Sequence, residues 1–305
     1  MKTSHIFLAL AVVLAPALSA GTSLAAVRVV TTIPDYGALA KEVGGDLVAV
    51  DALVKPTQDP HFVDAKPSFL VILSRADMII FTGMELESGW LPGLLNNARN
   101  AKVQKGSPGY LDASTVVHRL GIQAGAVDRA LGDIHPGGNP HFWTDPRSGL
   151  RIAEAIAERL AQIDSANKER YAANLADFKK RLEAKMTEWN AKLKPLKGTK
   201  IVVYHDSWLY FVDWTGFSQT GTLEPKPGVP PSPDHIAKLI GDVKKKASVW
   251  SFRNPSTPRT SVKFFAQKTG AELLVLPSMV GAAPNTDNYI GLVDRMVGMI
   301  VGALS

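Results

Sequence analysis

Cysteine is missing altogether from the 305 residues. Its absence excludes a disulfide framework, a thiolate metal site and a lipid-carrying N-terminal cysteine. Long apolar runs are also missing: after Leu18 no segment is apolar enough to sit in a bilayer, whose core asks for ~20 such residues. Strong charge of either sign is absent too, since 34 Lys and Arg stand against 28 Asp and Glu, a net +6. The densest basic runs, Lys179-Lys180-Arg181 and Lys244-Lys245-Lys246, carry no interleaved aromatics. A groove for single-stranded nucleic acid would need them, so these runs read as solvated helix faces and no nucleic-acid partner is expected. No His-Glu-x-x-His motif occurs, which removes the helical signature of a zinc protease.

What is present begins with a leader. Lys2 precedes the apolar stretch Ile6 to Leu18, and small residues follow, with cleavage expected near Ser23-Leu24-Ala25 or one residue later. This is the pattern of a secretory signal peptide over residues 1–26, too short to span a membrane. Its removal takes away Lys2 alone and leaves a net charge of +5. A soluble, freely diffusing monomer of the periplasm is the expectation. At this length two domains are expected, each long enough to bury a core.

Alternation then takes over. Strands are expected at Val27–Thr32, Leu47–Val54 and Asp77–Thr82, with helices over Tyr36–Val43 and Pro67–Ala76, the first closed by Gly44-Gly45. Such β-α-β-α-β order implies a parallel sheet wrapped by helices. Residues 83–138 carry weaker signals, a short helix near Trp90-Leu91 and a mobile loop over 123–138. Between Gly149 and Lys192 there is neither proline nor glycine, and Tyr171, Leu175, Phe178, Leu182, Met186, Trp189 and Leu193 step by three or four. That spacing puts them on one face of a long helix. After Pro195 the alternation restarts and closes on a helix over Tyr289–Leu304. The fold class is α/β: two (β/α) lobes with parallel sheets, residues 27–165 and 196–305, joined by a single long backbone helix at 166–195.

Three histidines occupy restrained backbone. His61 follows Asp59-Pro60, His141 follows Asn139-Pro140 with Pro146 closing the turn, and His205 ends the apolar run Ile201-Val202-Val203-Tyr204. Proline fixes φ and biases its predecessor toward extended backbone, so the first two rings are presented from stiff turns. Neutral imidazole suits Zn²⁺, Cu²⁺, Ni²⁺ and Fe²⁺, whereas Mg²⁺ and Ca²⁺ want oxygen cages. His135 is read as a solvent-exposed loop residue, and His118 and His235 as surface residues. Asp145 and Asp206 are expected to form turns or to hold a ligating ring from behind.

Together, Asp59-Pro60-His61, Asn139-Pro140-His141-Phe142-Trp143-Thr144-Asp145-Pro146 and Tyr204-His205-Asp206-Ser207-Trp208, in this order around a long helix, resemble the metal-binding solute-binding proteins of zinc and manganese ABC importers. The resemblance covers the mature chain. It implies a divalent metal held between the lobes by His61, His141 and His205, with Zn²⁺ the expected cargo and Mn²⁺ the alternative, and an inner-membrane ABC permease as partner. Such proteins usually take a fourth ligand from a carboxylate near the last strand, but here Leu276-Pro277-Ser278-Met279 puts Ser278 in its place. Glu224, in a proline-rich loop, is the expected substitute; Asp287, His135 and water are the alternatives. A second reading is a three-histidine zinc hydrolase of the cell envelope, which would keep one metal position open for water. An adhesin or structural role is a third.

Overall fold

The computed structural model describes residues 26–123, 135–244, 249–253 and 259–304. All of the expected leader except Ala26, most of the 123–138 loop and part of the Lys244-Lys245-Lys246 run lie outside the described residues.

β-Branched and aliphatic runs make the strands. Val27–Thr31 is β1, Val48–Ala52 β2, Met78–Phe81 β3 and Tyr110–Asp112 β4, all parallel, in the order β2-β1-β3-β4. The second sheet has β5 (Lys200–Val203), β6 (Ser218–Thr222), β7 (Val249–Arg253) and β8 (Glu272–Val275), again parallel, in the order β6-β5-β7-β8. The two sheets therefore have the same strand order. In each, the first strand is central and consecutive crossovers leave it in opposite directions, the arrangement that opens a crevice beyond the strands' carboxyl ends.

Period-two alternation sorts side chains between cores. Val29, Met78 and Ile80 point to one face and Val30, Ile79 and Phe81 to the other, where Phe69, Leu73, Trp90 and Leu94 cover them. In the second sheet Ile201 and Val203 take one face, while Val202 and Tyr204 meet Ile236, Leu239 and Phe265 on the other. The inner faces of both sheets join one continuous core.

Helices α1 (Pro34–Gly44), α2 (Pro67–Ser74), α3 (Leu91–Ala98) and α4 (Pro146–Ile163) belong to the first lobe. The long helix α5 (Lys168–Leu193) has 26 residues, roughly 39 Å at the usual rise. Its buried residues Tyr171, Phe178, Leu182, Trp189 and Leu193 repeat at seven and four, and Leu175 and Met186 pack at the margin of that stripe. Each large side chain so buried contributes about 1.5–3 kcal/mol. Helix α5 packs on α1 and α4 at one side and on α9 (Tyr289–Leu304) at the other, where Trp189 Nε1 donates to Asp294 at 2.9 Å. The second lobe adds α6 (Leu209–Thr215), α7 (Pro233–Lys244) and α8 (Arg259–Thr269). Ser232 precedes α7, and its hydroxyl accepts from the His235 N–H at 3.2 Å. Among the described residues no helix is long and apolar enough to cross a membrane.

Strand β4 is absent from the sequence expectations, because three residues are too few to show alternation. Several hydrogen bonds tie the segment around α4 to the second lobe. Trp143 Nε1 donates to Ser278 O at 2.8 Å, and the Tyr289 hydroxyl reaches Trp143 O at 2.8 Å and Asp145 O at 3.0 Å. Gly149 makes that last contact possible, since a Cβ there would lie 2.4 Å from the Tyr289 ring.

Candidate metal centre

His61 lies in the loop after β2, His141 just before the Phe142–Thr144 turn that leads into α4, and His205 two residues past β5. One ring nitrogen from each falls within 4.8 Å of the other two. Ring centroids are 5.3 Å apart for His61 and His141, 5.4 Å for His61 and His205, and 5.1 Å for His141 and His205. His141 is buried at 4 % exposure, and its ring lies tilted against that of Trp143 with centroids 5.1 Å apart.

Each ring is held from behind at Nδ1. In the two Asx-Pro-His turns the residue two positions earlier does this twice over. Asp59 Oδ1 accepts from His61 N at 3.0 Å and from its Nδ1 at 2.7 Å, and Asn139 Oδ1 accepts from His141 N and Nδ1, both at 3.0 Å. Asn139 Nδ2 meanwhile donates to Asp206 O at 2.6 Å across the lobes, which fixes the amide with its oxygen toward His141. His205 Nδ1 donates to Glu224 Oε2 at 2.7 Å. A carboxylate, and an amide oxygen so oriented, accept only. Every Nδ1 therefore carries the proton, and every Nε2 keeps its lone pair for a metal.

Electrostatics follow the same division. Burial drives the His141 pKa well below its ordinary value, helped by the charges of His205, His61 and His135, so this ring is neutral and ready to ligate. At His205 burial pulls downward, but the hydrogen bond and charge of Glu224, with Asp59 and Asp206, outweigh it and the pKa is raised. The Asp59 carboxyl is lowered: burial opposes, and its bonds to His61 prevail.

Glu224 was expected as the fourth ligand, and the structure gives it other work. Its Oε2 faces His205 Nδ1 and also accepts from Gly228 N at 3.2 Å, so the carboxylate sits behind a ring rather than among the clustered nitrogens. Asp287 is exposed and Ser278 is buried with its carbonyl bonded to Trp143. Asp145 caps α4 by accepting from Arg147 N at 2.8 Å, and Asp206 reaches His141 only through Asn139. His118 is exposed, as expected, while His235 is half-buried with Nε2 3.0 Å from Thr222 O. The exposed reading of His135 fails: it is half-buried, its Nδ1 lies 2.8 Å from Met84 O and its Nε2 3.3 Å from His61 Nε2. Its position six residues before His141 was the only signal in the sequence.

Two parallel α/β lobes spanned by one helix, with imidazoles converging from both, define a two-lobed binding protein. The model of the ZnuA family, described as zinc-uptake complex component A, periplasmic, matches residues 29–303, and the chain belongs to that family of periplasmic metal-binding components of ABC importers. It is 28 % identical to the high-affinity zinc uptake system protein ZnuA of Paracoccus denitrificans, over 88 % of this chain and 89 % of that one. It is 24 % identical to the manganese ABC transporter substrate-binding lipoprotein PsaA of Streptococcus anginosus, over 93 % and 91 %. A crystal structure of a zinc-bound ZnuA deletion mutant superposes with a TM-score of 0.76 at 28 % identity, covering 92 % of this chain and 98 % of that one.

Proposed function

We propose that this chain captures Zn²⁺ as cargo through Nε2 of His61, His141 and His205 and delivers it, as a monomer, to its ABC permease. Residues 27–165 and 196–305 act as the two jaws and the helix at 166–195 as the bar between them. One observation carries the reading: three rings from both lobes converge while every Nδ1 is occupied by an acceptor that cannot donate. Neutral nitrogens aimed at one point suit a borderline-soft, four-coordinate ion, and the zinc named for the relatives above fits that chemistry.

Calorimetry on metal-stripped protein tests it. One Zn²⁺ per chain is expected at pH 7, and His141→Ala is expected to lose nearly all of the affinity, because it removes the most buried donor. No zinc uptake by the wild type would overturn the proposal. Turnover of ester, amide or phosphate substrates by zinc-loaded protein would overturn the transport role in favour of hydrolysis.

A further inference from the structure

Asp35 lies in the first turn of α1 at 0 % exposure, and neither of its side-chain oxygens has a hydrogen-bond partner. Stripping an ionised carboxylate of water without giving it a partner is among the costliest burials a fold can make, so the group takes up a proton. Its surroundings offer no relief. The titratable side chains that face it are Tyr36 on its own helix and Tyr289 at the start of α9, both buried and both kept neutral by pKa values driven well above 10. Beyond them stand further acids, Glu87 and Asp112 on the Tyr36 side and Asp145 on the Tyr289 side, and no cation acts on Asp35. Burial accordingly pushes its pKa from 3.8 up to about 8, with the nearby backbone N–H groups of Val280 and of Asp35 itself pulling the other way.

What covers Asp35 belongs in part to the other lobe. The loop after β8 rests on the first lobe through Ser278, Val280 and Gly281. Ser278 O accepts from Trp143 Nε1 at 2.8 Å, and the Val280 N–H lies against the Asp35 carboxyl. Gly281, at φ 81°, comes so close to Pro56 that a Cβ would stand 3.0 Å from the proline ring. No residue from 278 to 281 has a titratable side chain. The loop is braced within itself, by Gly281 N to Thr286 O at 2.7 Å, Ala282 N to Met279 O at 3.1 Å and the Thr286 hydroxyl to Ala283 O at 2.6 Å. A unit so braced can lift from its seat without losing its own bonds.

From these contacts we infer that Asp35 is a proton-operated latch between the lobes, protonated while the loop at 278–281 is seated on it and ionised when that loop lifts and water reaches the carboxyl. Linkage sets the direction. The seated form holds the proton more tightly, so seating has its full advantage below pH ~4 and loses about tenfold per pH unit up to pH ~8, where the loss levels off. The lifted form is a minor state whose population the proton controls. His205 stands on the second lobe and His61 and His141 on the first, so the same movement changes the spacing of the rings. Acid, which protonates imidazoles, thus tightens the seam that holds them together.

Hydrogen exchange on the full mature chain without metal tests the latch, read at the Trp143 indole N–H and the Val280 amide, with amides of α5 as the gauge of global unfolding. In wild type, protection at the two seam protons is expected to be lower than in α5 and to fall about tenfold per unit between pH 5 and pH 7.5. Asp35→Asn keeps the shape and cannot ionise, so its seam protection should be independent of pH over that range. Flat protection in the wild type, a slope unchanged in Asp35→Asn, or seam protons that exchange only at the rate of α5 would each overturn the latch. No readout needs bound zinc, so a failed latch and a failed capture site are told apart.

Discussion

Glu224→Gln removes a charge behind His205 while keeping the shape of the side chain. Burial pulls the His205 pKa down, and the hydrogen bond and charge of Glu224 are the main reason it lies above 6.5 instead. A proton on Nε2 competes with the ion. Affinity in the wild type is therefore full above the raised pKa and falls, by up to about tenfold per pH unit, as pH drops through it. In the variant burial prevails, so affinity holds to lower pH. The second effect has the opposite sign: an amide oxygen leaves Nε2 less basic, and loss of such a partner weakens binding by about 10–100-fold, or about 1.4–2.7 kcal/mol, at pH 8. The two affinity curves should thus stand apart at pH 8 and converge toward pH 5.5, closing about tenfold for each unit by which the His205 pKa falls. Competition titrations with a chelating dye across that range read both effects. Parallel curves, or no loss at pH 8, would refute a role through His205. A much larger loss, equal at every pH and accompanied by a changed Co²⁺ spectrum, would instead return Glu224 to the metal. In the metal-free protein the same pair stabilises the fold below pH ~6.5 and ceases to as pH rises through the folded-state value, so the variant should flatten that limb.

Three further substitutions probe the frame around the site. Asp35 is wholly buried in the first turn of α1, and burial pushes it up to about 8 against the backbone N–H groups of Val280 and of Asp35 itself. With a folded pKa above the unfolded 3.8, stability is full below pH ~4 and drains until pH ~8; Asp35→Asn should remove this slope and gain at most about 6 kcal/mol at pH 8 in denaturant unfolding, while an unchanged slope would refute it. Gly149→Ala should cost about 1–3 kcal/mol by driving a methyl into Tyr289, and a rise in melting temperature would show that the joint is looser than described. Asn139→Ala should lower zinc affinity about 10–100-fold by freeing the His141 ring and its tie to Asp206; affinity within threefold of wild type would refute the orienting role.

Much of the fold is legible in the chain because its periods are long and uninterrupted. The α5 stripe from Tyr171 to Leu193 marks one helical face, and the continuous aliphatic runs of β1, β3 and β5 mark strands covered on both faces. β4 escapes notice because it is three residues long and owes its existence to pairing with β3. The same distinction divides the site. His61 and His141 stand out since their proline turns, and the acceptors two residues back, are local. His205 and His135 are oriented by Glu224 and Met84, 19 and 51 positions away, and no local pattern announces a partner that only folding supplies. The sequence shows that the Glu224 carboxylate is near His205 and not that it faces Nδ1.

The frame around the candidate site is rigid on both sides of the ring cluster. What the frame supplies is rigidity: a core continuous between the sheets, and bonds such as Asn139 to Asp206 and Trp143 to Ser278 that fix one lobe against the other at the site itself. Rings held this way lose little further freedom when an ion arrives, so the difference in affinity between two metals reduces to the chemistry of the atoms that face them. Serine at 278 offers a hydroxyl where a carboxylate would stand, and Asp59 and Glu224 are engaged with ring N–H groups.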